Sequence, residues 1–450
     1  MKKIALLFLV TLVSLLSCND TVKKDDPVQP PNIILVYMDD MGYGDLECYG
    51  NPIIKTPNLN KMAREGIKFT SFYAPSSVCT PSRAGLLTGR YPVRNAPNNF
   101  GPESTTGLPL SEVTIADVLK ESGYATGIIG KWHLGHLPKY LPTSRGFDYF
   151  YGLPYSNDMI LPWCPWLTEN DRLFLYENDN PIKEIGKQQD RLMLDYSSKA
   201  ISFIKEHKDQ PFFLYLAHAM PHLPVSAPKE FLNTSKGGLY GDVIETIDWT
   251  IGELLKTLKQ EGLEEQTLVV FTSDNGPWHN LPERMLADGV ERWHTGSAGP
   301  FRGAKMTTYE GGSRVPAIMY WPNTIQENQI NSDIISGLDL YPTFAALAGG
   351  KLPNHYPIDG KNLVGLLKEH HHSPRHSFMY CNGKTIEAIR EYEWKLRITE
   401  KDGIQLFNLY EDPSELYNRA TEFPEKVAQL KVKMNVFASG TESSIYGIPK

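Results

Sequence analysis

Two pairs of hard oxygen donors stand far apart in this chain, Asp39-Asp40 and Asp274-Asn275. Carboxylate and amide oxygens suit Ca²⁺ or Mg²⁺, whereas zinc prefers nitrogen and sulfur. One acidic pair in a loop is an ordinary feature. Two pairs, each directly after an apolar run, point to a single divalent-cation site. Between them lies Cys79-Thr80-Pro81-Ser82-Arg83. Proline disfavours the helical region for the residue before it, so the spacing predicts a helix that opens at Ser82, with Cys79 exposed just ahead of the turn. The free amides and positive dipole end of that helix favour an anion held at position 79, and Arg83 adds a fixed positive charge. A lone free cysteine is usually a buried structural residue, and that is the reading against which chemistry at Cys79 must be weighed.

The elements that position these residues alternate. Pro31 to Met38 is a continuous apolar run, suited to a central parallel strand covered on both faces, and Asp39-Asp40 follow it. Thr56-Pro57-Asn58 opens a helix that stops at Gly66, with threonine as the cap and proline in the first position. Thr114 to Ser122 reads as a helix, and Ala125 to Gly130 as a strand ending at Lys131-Trp132-His133. The strand Phe212 to Ala217 leads to His218 and His222. A helical pattern from Tyr240 to Gln260 precedes the strand Leu268 to Phe271, after which come Asp274 and Asn275. This rhythm predicts an α/β fold with a large, mostly parallel sheet and helices on both faces. In such sheets ligands bind beyond the carboxyl ends of the strands, where each of these polar clusters falls. From Ser377 to Thr399 the pattern turns to short strands, which predicts a small C-terminal α+β subdomain.

With 450 residues, 41% hydrophobic content and a net charge of -7, the chain is long enough for a large domain plus a smaller one. The acidic balance carries no footprint for nucleic acid. Lys2-Lys3, the apolar run to Leu16 and then Ser17-Cys18 read as a signal peptide over residues 1–17, too short to span a bilayer. Leu15-Leu16-Ser17-Cys18 resembles a bacterial lipobox, which implies membrane attachment through lipid at Cys18 and a location in the periplasm or at the cell surface. Residues 18–31 are then a tether, 32–366 a catalytic domain and 367–450 the C-terminal subdomain. Cys48, Cys164 and Cys381 are an odd, scattered remainder that implies no disulfide framework.

The Cys79-x-Pro-x-Arg83 segment, followed by Leu-Thr-Gly-Arg-Tyr-Pro, resembles the signature of the type I sulfatases. Gly130-Lys131-Trp132-His133-Leu134-Gly135, Pro221-His222-Leu223-Pro224, Gly303 to Gly312 and Leu406 to Pro413 resemble further blocks of that family, so the likeness runs from Asn32 to about Asn418. The resemblance implies an alkaline-phosphatase-like fold and a sulfuric ester hydrolase. It implies that a dedicated maturation enzyme oxidises Cys79 to formylglycine, whose hydrate is the nucleophile, and that one Ca²⁺ sits on Asp39, Asp40, Asp274 and Asn275. It assigns Lys131 to the hydrate or a sulfate oxygen, His133 to the hydrate hydroxyl, and His222 and Lys305 to sulfate binding and the leaving oxygen. The implied substrate is a sulfated carbohydrate, for which Trp163, Trp166, Trp278 and Trp293 offer stacking faces. A phosphonate or phosphate ester hydrolase of the same superfamily is the enzymatic alternative, although such relatives tend to carry histidine where this chain has Asn275. A glycan-binding lipoprotein without catalysis is the alternative of another class.

Overall fold

The computed structural model describes residues 30–286, 289–441 and 443–445. The signal peptide, Cys18 and most of the tether lie outside the described residues. A ten-stranded sheet organises the larger part of the molecule. Its five central strands are parallel, in the spatial order Thr267–Ser273, Asn32–Met38, Phe212–Ala217, Ala125–Lys131 and Tyr149–Leu153. Antiparallel strands close both sides: Ala317–Tyr320 runs against Thr267–Ser273, and Phe174–Glu177 against Tyr149–Leu153.

The apolar run of the first strand shows why helices cover both faces. Ile34, Val36 and Met38 point into one core with the helices Pro57–Arg64, Leu192–Glu206 and Gly238–Gln260. Ile33, Leu35 and Tyr37 point into the other with Cys79–Thr88, Ile115–Glu121 and Leu340–Leu347. A strand that is apolar or aromatic on both faces from Ile33 to Met38 fits only where both faces are covered.

A second sheet of four antiparallel strands, Ser377–Asn382, Thr385–Glu391, Trp394–Thr399 and Gly403–Asn408, packs with the helix Pro424–Ser439 around Phe378, Ile389, Leu396 and Met434. At Pro57–Arg64 the proline does occupy the first turn, but the Thr56 hydroxyl does not cap the helix. It accepts from the Glu47 amide instead, and the Asp248 carboxylate takes the free amides of Asn58 and Leu59. A tertiary carboxylate has replaced the local cap, which the sequence near Thr56 could not announce.

Glycine is required where the central strands crowd together beside the site. Gly130 has φ of +113°, and a Cβ there would sit 1.8 Å from the Ala217 carbonyl oxygen. Gly130→Ala therefore combines backbone strain of about 1–3 kcal/mol with a backbone clash. We expect a lowered midpoint in urea unfolding, and an unchanged midpoint would show that the strand end yields without cost.

Candidate active site

All ten residues singled out from the sequence are buried, at the carboxyl ends of the central strands or on two segments packed against them. Asp39 and Asp40 leave the strand Asn32–Met38, Lys131 ends Ala125–Lys131 with His133 two residues on, His222 follows Phe212–Ala217, and Asp274 and Asn275 follow Thr267–Ser273. Asp40 and His133 hold φ of +65° and +60°. Such left-handed backbone is uncommon for residues with a Cβ and persists where the surroundings over-determine it.

The helix at the cysteine differs from the expectation in two ways. It spans Cys79–Thr88, opening three residues before Ser82, and Cys79 is only 3% exposed. Pro81 is tolerated because first-turn amides have no intrahelical acceptor to lose. The first helical bond runs from the Ser82 amide to the Val78 carbonyl at 3.0 Å. Cys79 thus stands on the free-amide end itself, not ahead of it. Burial pushes its thiol far above the ordinary range, even with Lys131 and Lys305 beside it. The thiolate that would make a cysteine nucleophilic is therefore suppressed.

Arg83 fastens this helix to three strand ends. Its Nε and Nη2 donate to Asp274 at 3.1 and 2.8 Å, its Nη1 donates to the Lys131 carbonyl at 3.0 Å, and its guanidinium lies over the Tyr37 ring. Lys131 Nζ donates to Asp39 at 2.5 Å and to Ser156 at 3.1 Å. Lys305 Nζ donates to Asp40 at 2.8 Å. Three buried cations thus face three buried carboxylates.

The carboxylates are not equivalent. Burial opposes ionisation of Asp39, but Lys131, His222 and Arg83 more than offset it and hold its pKa well below the ordinary value. At Asp274 burial and the Asp39 charge prevail over Arg83 and push the pKa up to about 7. Two like charges in one dry pocket separate in this way when no further cation is present.

The donor chemistry fits a divalent ion. Asp39, Asp40, Cys79 and His222 bring possible ligand atoms within 4.8 Å of one another, and Asp39 Oδ1 and Asn275 Oδ1 are buried without a hydrogen-bond donor. Asp274 stands beside this cluster, with its Oδ1 accepting from the Asp40 amide at 3.1 Å. Two orphaned acceptor oxygens in a buried acidic pocket are what a cation would satisfy.

The remaining groups face the same space. His222 pairs its Nδ1 with the Leu223 carbonyl at 2.6 Å, leaving Nε2 3.6 Å from Asp40. Both ring nitrogens of His133 are buried without partners, and burial with the Lys131 and Arg83 charges keeps that ring neutral. Sequence reasoning missed Ser156, whose serine type and loop setting carry no signal of their own. It also assigned Trp278 only a sugar-stacking face, whereas the ring lies 4.9 Å from Lys305 Nζ and 5.7 Å from the His222 ring. Of the other tryptophans, Trp163 is buried, while Trp166 and Trp293 are 62% and 72% exposed. His218 is buried away from charged groups, its pKa lowered to about 4 by desolvation alone.

Comparison with known proteins bears on what such a pocket does. Residues 31–350 match the family described as Sulfatase, and residues 301–439 match N-sulphoglucosamine sulphohydrolase, C-terminal. The chain is 40% identical over 387 residues to N-acetylgalactosamine-6-sulfatase of Rattus norvegicus, covering 82% of this chain and 72% of that protein. It is 37% identical over 434 residues to arylsulfatase A of Bos taurus, covering 86% and 83%. Among solved structures, Ps i-CgsB in complex with k-i-k-neocarrahexaose superposes with a TM-score of 0.78 at 31% identity, over 91% of this chain and 93% of that one.

The raised pKa of Asp274 yields a signed expectation. A group held at about 7 in the fold and near 3.8 when unfolded contributes stability below pH 3.8 that is lost as pH rises through 7. Asp39, shifted the other way, contributes stability that is lost as pH falls below about 5 and adds no slope above that. If Asp274 ligates a divalent cation, the ion must displace its proton, and the cation's effect on the unfolding midpoint should then grow from about pH 5 to about pH 8. Thermal unfolding of the metal-free protein with and without cation measures this. A cation effect independent of pH would remove Asp274 from the ligand set.

Proposed function

The chain belongs to the sulfatase family and is a sulfuric ester hydrolase, and we propose that it desulfates glycan sugars with a formylglycine made from Cys79 and one Ca²⁺ held by Asp39, Asp40, Asp274 and Asn275. The observation that carries the reading is the contradiction at Cys79. The pocket converges on a cysteine, yet burial denies that cysteine its thiolate. A site built around a silenced thiol calls for another group at that position.

The formylglycine would supply a hydrated aldehyde oxygen as nucleophile, and the calcium ion would draw negative charge from the sulfate. The chain's own residues do the rest. Lys131, Arg83 and Lys305 surround the anion with fixed positive charge in a water-poor pocket, where such charges act strongly. Neutral His133, with both ring nitrogens free, is placed to accept a proton at the nucleophile's position. Lys305 keeps its proton because Asp40, Cys79 and Asp39 together outweigh the effect of burial, and His222 presents Nε2 on the same side. Lys305, or His222 once its Nε2 has taken up a proton, protonates the departing sugar oxygen. Relatives named for a sulfated amino sugar and a neighbour solved with a carrahexaose support a saccharide substrate. Lipid attachment at Cys18 and maturation by a separate enzyme complete the proposal.

Replacing Cys79 by alanine should abolish turnover while leaving the unfolding midpoint near that of the parent. Mass spectrometry of the active protein should find the aldehyde mass at position 79, and an unmodified thiol in fully active protein would end the mechanism. Metal analysis should find one calcium per chain, whereas two zinc ions would favour the phosphoesterase alternative.

Leaving groups separate the roles of the polar residues. A sugar alcohol needs a proton as its bond to sulfur breaks, whereas a nitrophenolate leaves unaided, and general acid assistance is typically worth about 10²–10⁴-fold. His222→Ala or Lys305→Ala should therefore slow sugar sulfate cleavage far more than nitrophenyl sulfate cleavage, while Arg83→Ala slows both alike. Equal losses in kcat/KM for the two substrates would leave His222 and Lys305 as sulfate binders only.

A further inference from the structure

The segment from Gly303 to Gly312 touches two different parts of the molecule within a few residues. On its catalytic side the Lys305 amide donates to Pro277 and the Met306 amide to Ser77, both at 2.9 Å. The Lys305 ammonium reaches Asp40. On its other side most anchors belong to the C-terminal sheet or the turn after it, although Tyr73 and Arg314 also donate to the Glu310 carboxylate. The Thr308 hydroxyl donates to Glu387 at 2.7 Å and accepts from Arg397 Nε at 3.1 Å. The Tyr309 ring is held between the guanidinium groups of Arg302 and Arg397, at 4.2 and 4.0 Å. The Glu310 amide donates to Glu415 at 2.7 Å, and the Glu310 carboxylate accepts from buried Lys395 at 2.9 Å.

We propose that the C-terminal sheet sets the position of the Lys305 ammonium, and that Thr308, gripped between Glu387 and Arg397, is the positioning residue that transmits it. The inference rests on Lys305 acting at the sulfate ester. Thr308 lies three residue steps beyond Lys305, a reach of about 10 Å of extended chain. Met306 between them is 55% exposed, with φ of +69°, so it contributes no core packing to hold the link. The segment is therefore fixed from its two ends. The polar grip on Thr308 is made by Glu387 and Arg397, neither of which is Cys79 or a proposed cation ligand. Its loss would let the Lys305 end drift, and a misplacement of about 1 Å can cost about 10²-fold in rate.

The test compares Thr308→Val, which keeps the shape and deletes both hydrogen bonds, with Thr308→Ser, which keeps the hydroxyl. Each is made in the parent protein and in Lys305→Ala. Release of sulfate from N-acetylgalactosamine 6-sulfate is followed, together with amide hydrogen exchange in peptides covering residues 303–312. Thr308→Val should lower kcat about tenfold in the parent and less than about twofold in Lys305→Ala, with faster exchange at Lys305 and Met306. Thr308→Ser should restore both. Glu387→Ala, which removes the acceptor from the sheet side, should reproduce the valine variant.

Equal losses in both Lys305 backgrounds would overturn the proposal, because the hydroxyl would then act on something other than Lys305. So would unchanged exchange at residues 303–306, or a serine variant as poor as valine. If the parent protein releases no sulfate from this sugar, that amino sugar is excluded as its substrate. Exchange in the valine, serine and Glu387→Ala variants then decides alone whether the sheet holds the segment.

Discussion

The buried charge of Arg83 is the constraint around which the rest of the pocket is arranged. A guanidinium without solvent access is tolerable only when its donors are satisfied by acceptors held in place for it. Here those acceptors come from three sources. Asp274 takes two donors, the Lys131 carbonyl takes a third, and the Tyr37 ring lies under the plane. One side chain therefore fixes the cysteine helix against the ends of three strands. Its fork geometry sets the orientation as well as the distance, which a lysine ammonium at the same point would not do.

Charge neutrality extends this arrangement outward. Arg83, Lys131 and Lys305 offset Asp39, Asp40 and Asp274 in number, but the two signs are not spread evenly. The acidic groups lie together, and the proton held at Asp274 shows the strain of that crowding. A dication bound there would relieve it at the carboxylate side and free the ammonium groups to face an anion. Cation and sulfate are thus complementary demands of one balanced pocket, each easing the cost of burying the other.

Much of this was legible because strand ends and motifs coincide. The apolar run before Asp39, the alternation of strand and helix patterns, and the blocks around Cys79, Lys131, His222 and Lys305 announced the parallel sheet and ten residues that the fold gathers at one end of it. The misreadings have a common physical origin. The helix start at Cys79 was placed three residues late because the proline rule was applied without allowing for its exemption in a first turn. Thr56 was given a capping role that a carboxylate nearly two hundred residues away performs. Ser156, the Trp278 contacts with Lys305 and His222, and the grip of the C-terminal sheet on Thr308 are all tertiary. Their residue types are common in loops, and nothing in the local pattern separates them from solvent-facing neighbours.

The order of strands across the sheet governs how the molecule comes to exist. Asn32–Met38 is the first strand to be synthesised, yet it ends between Phe212–Ala217 and Thr267–Ser273, whose pairing with it spans 180 residues or more of chain. Both of its edges stay open until most of the polypeptide has been made. Such long-range parallel pairing is slow and leaves apolar edges exposed to aggregation in the interval. Through the same interval the Cys79 segment has no completed surface to be buried against, and its thiol is open to any catalyst or oxidant that meets the nascent chain. Docking of the last central strand closes that period, after which Cys79 is buried and shielded from such encounters.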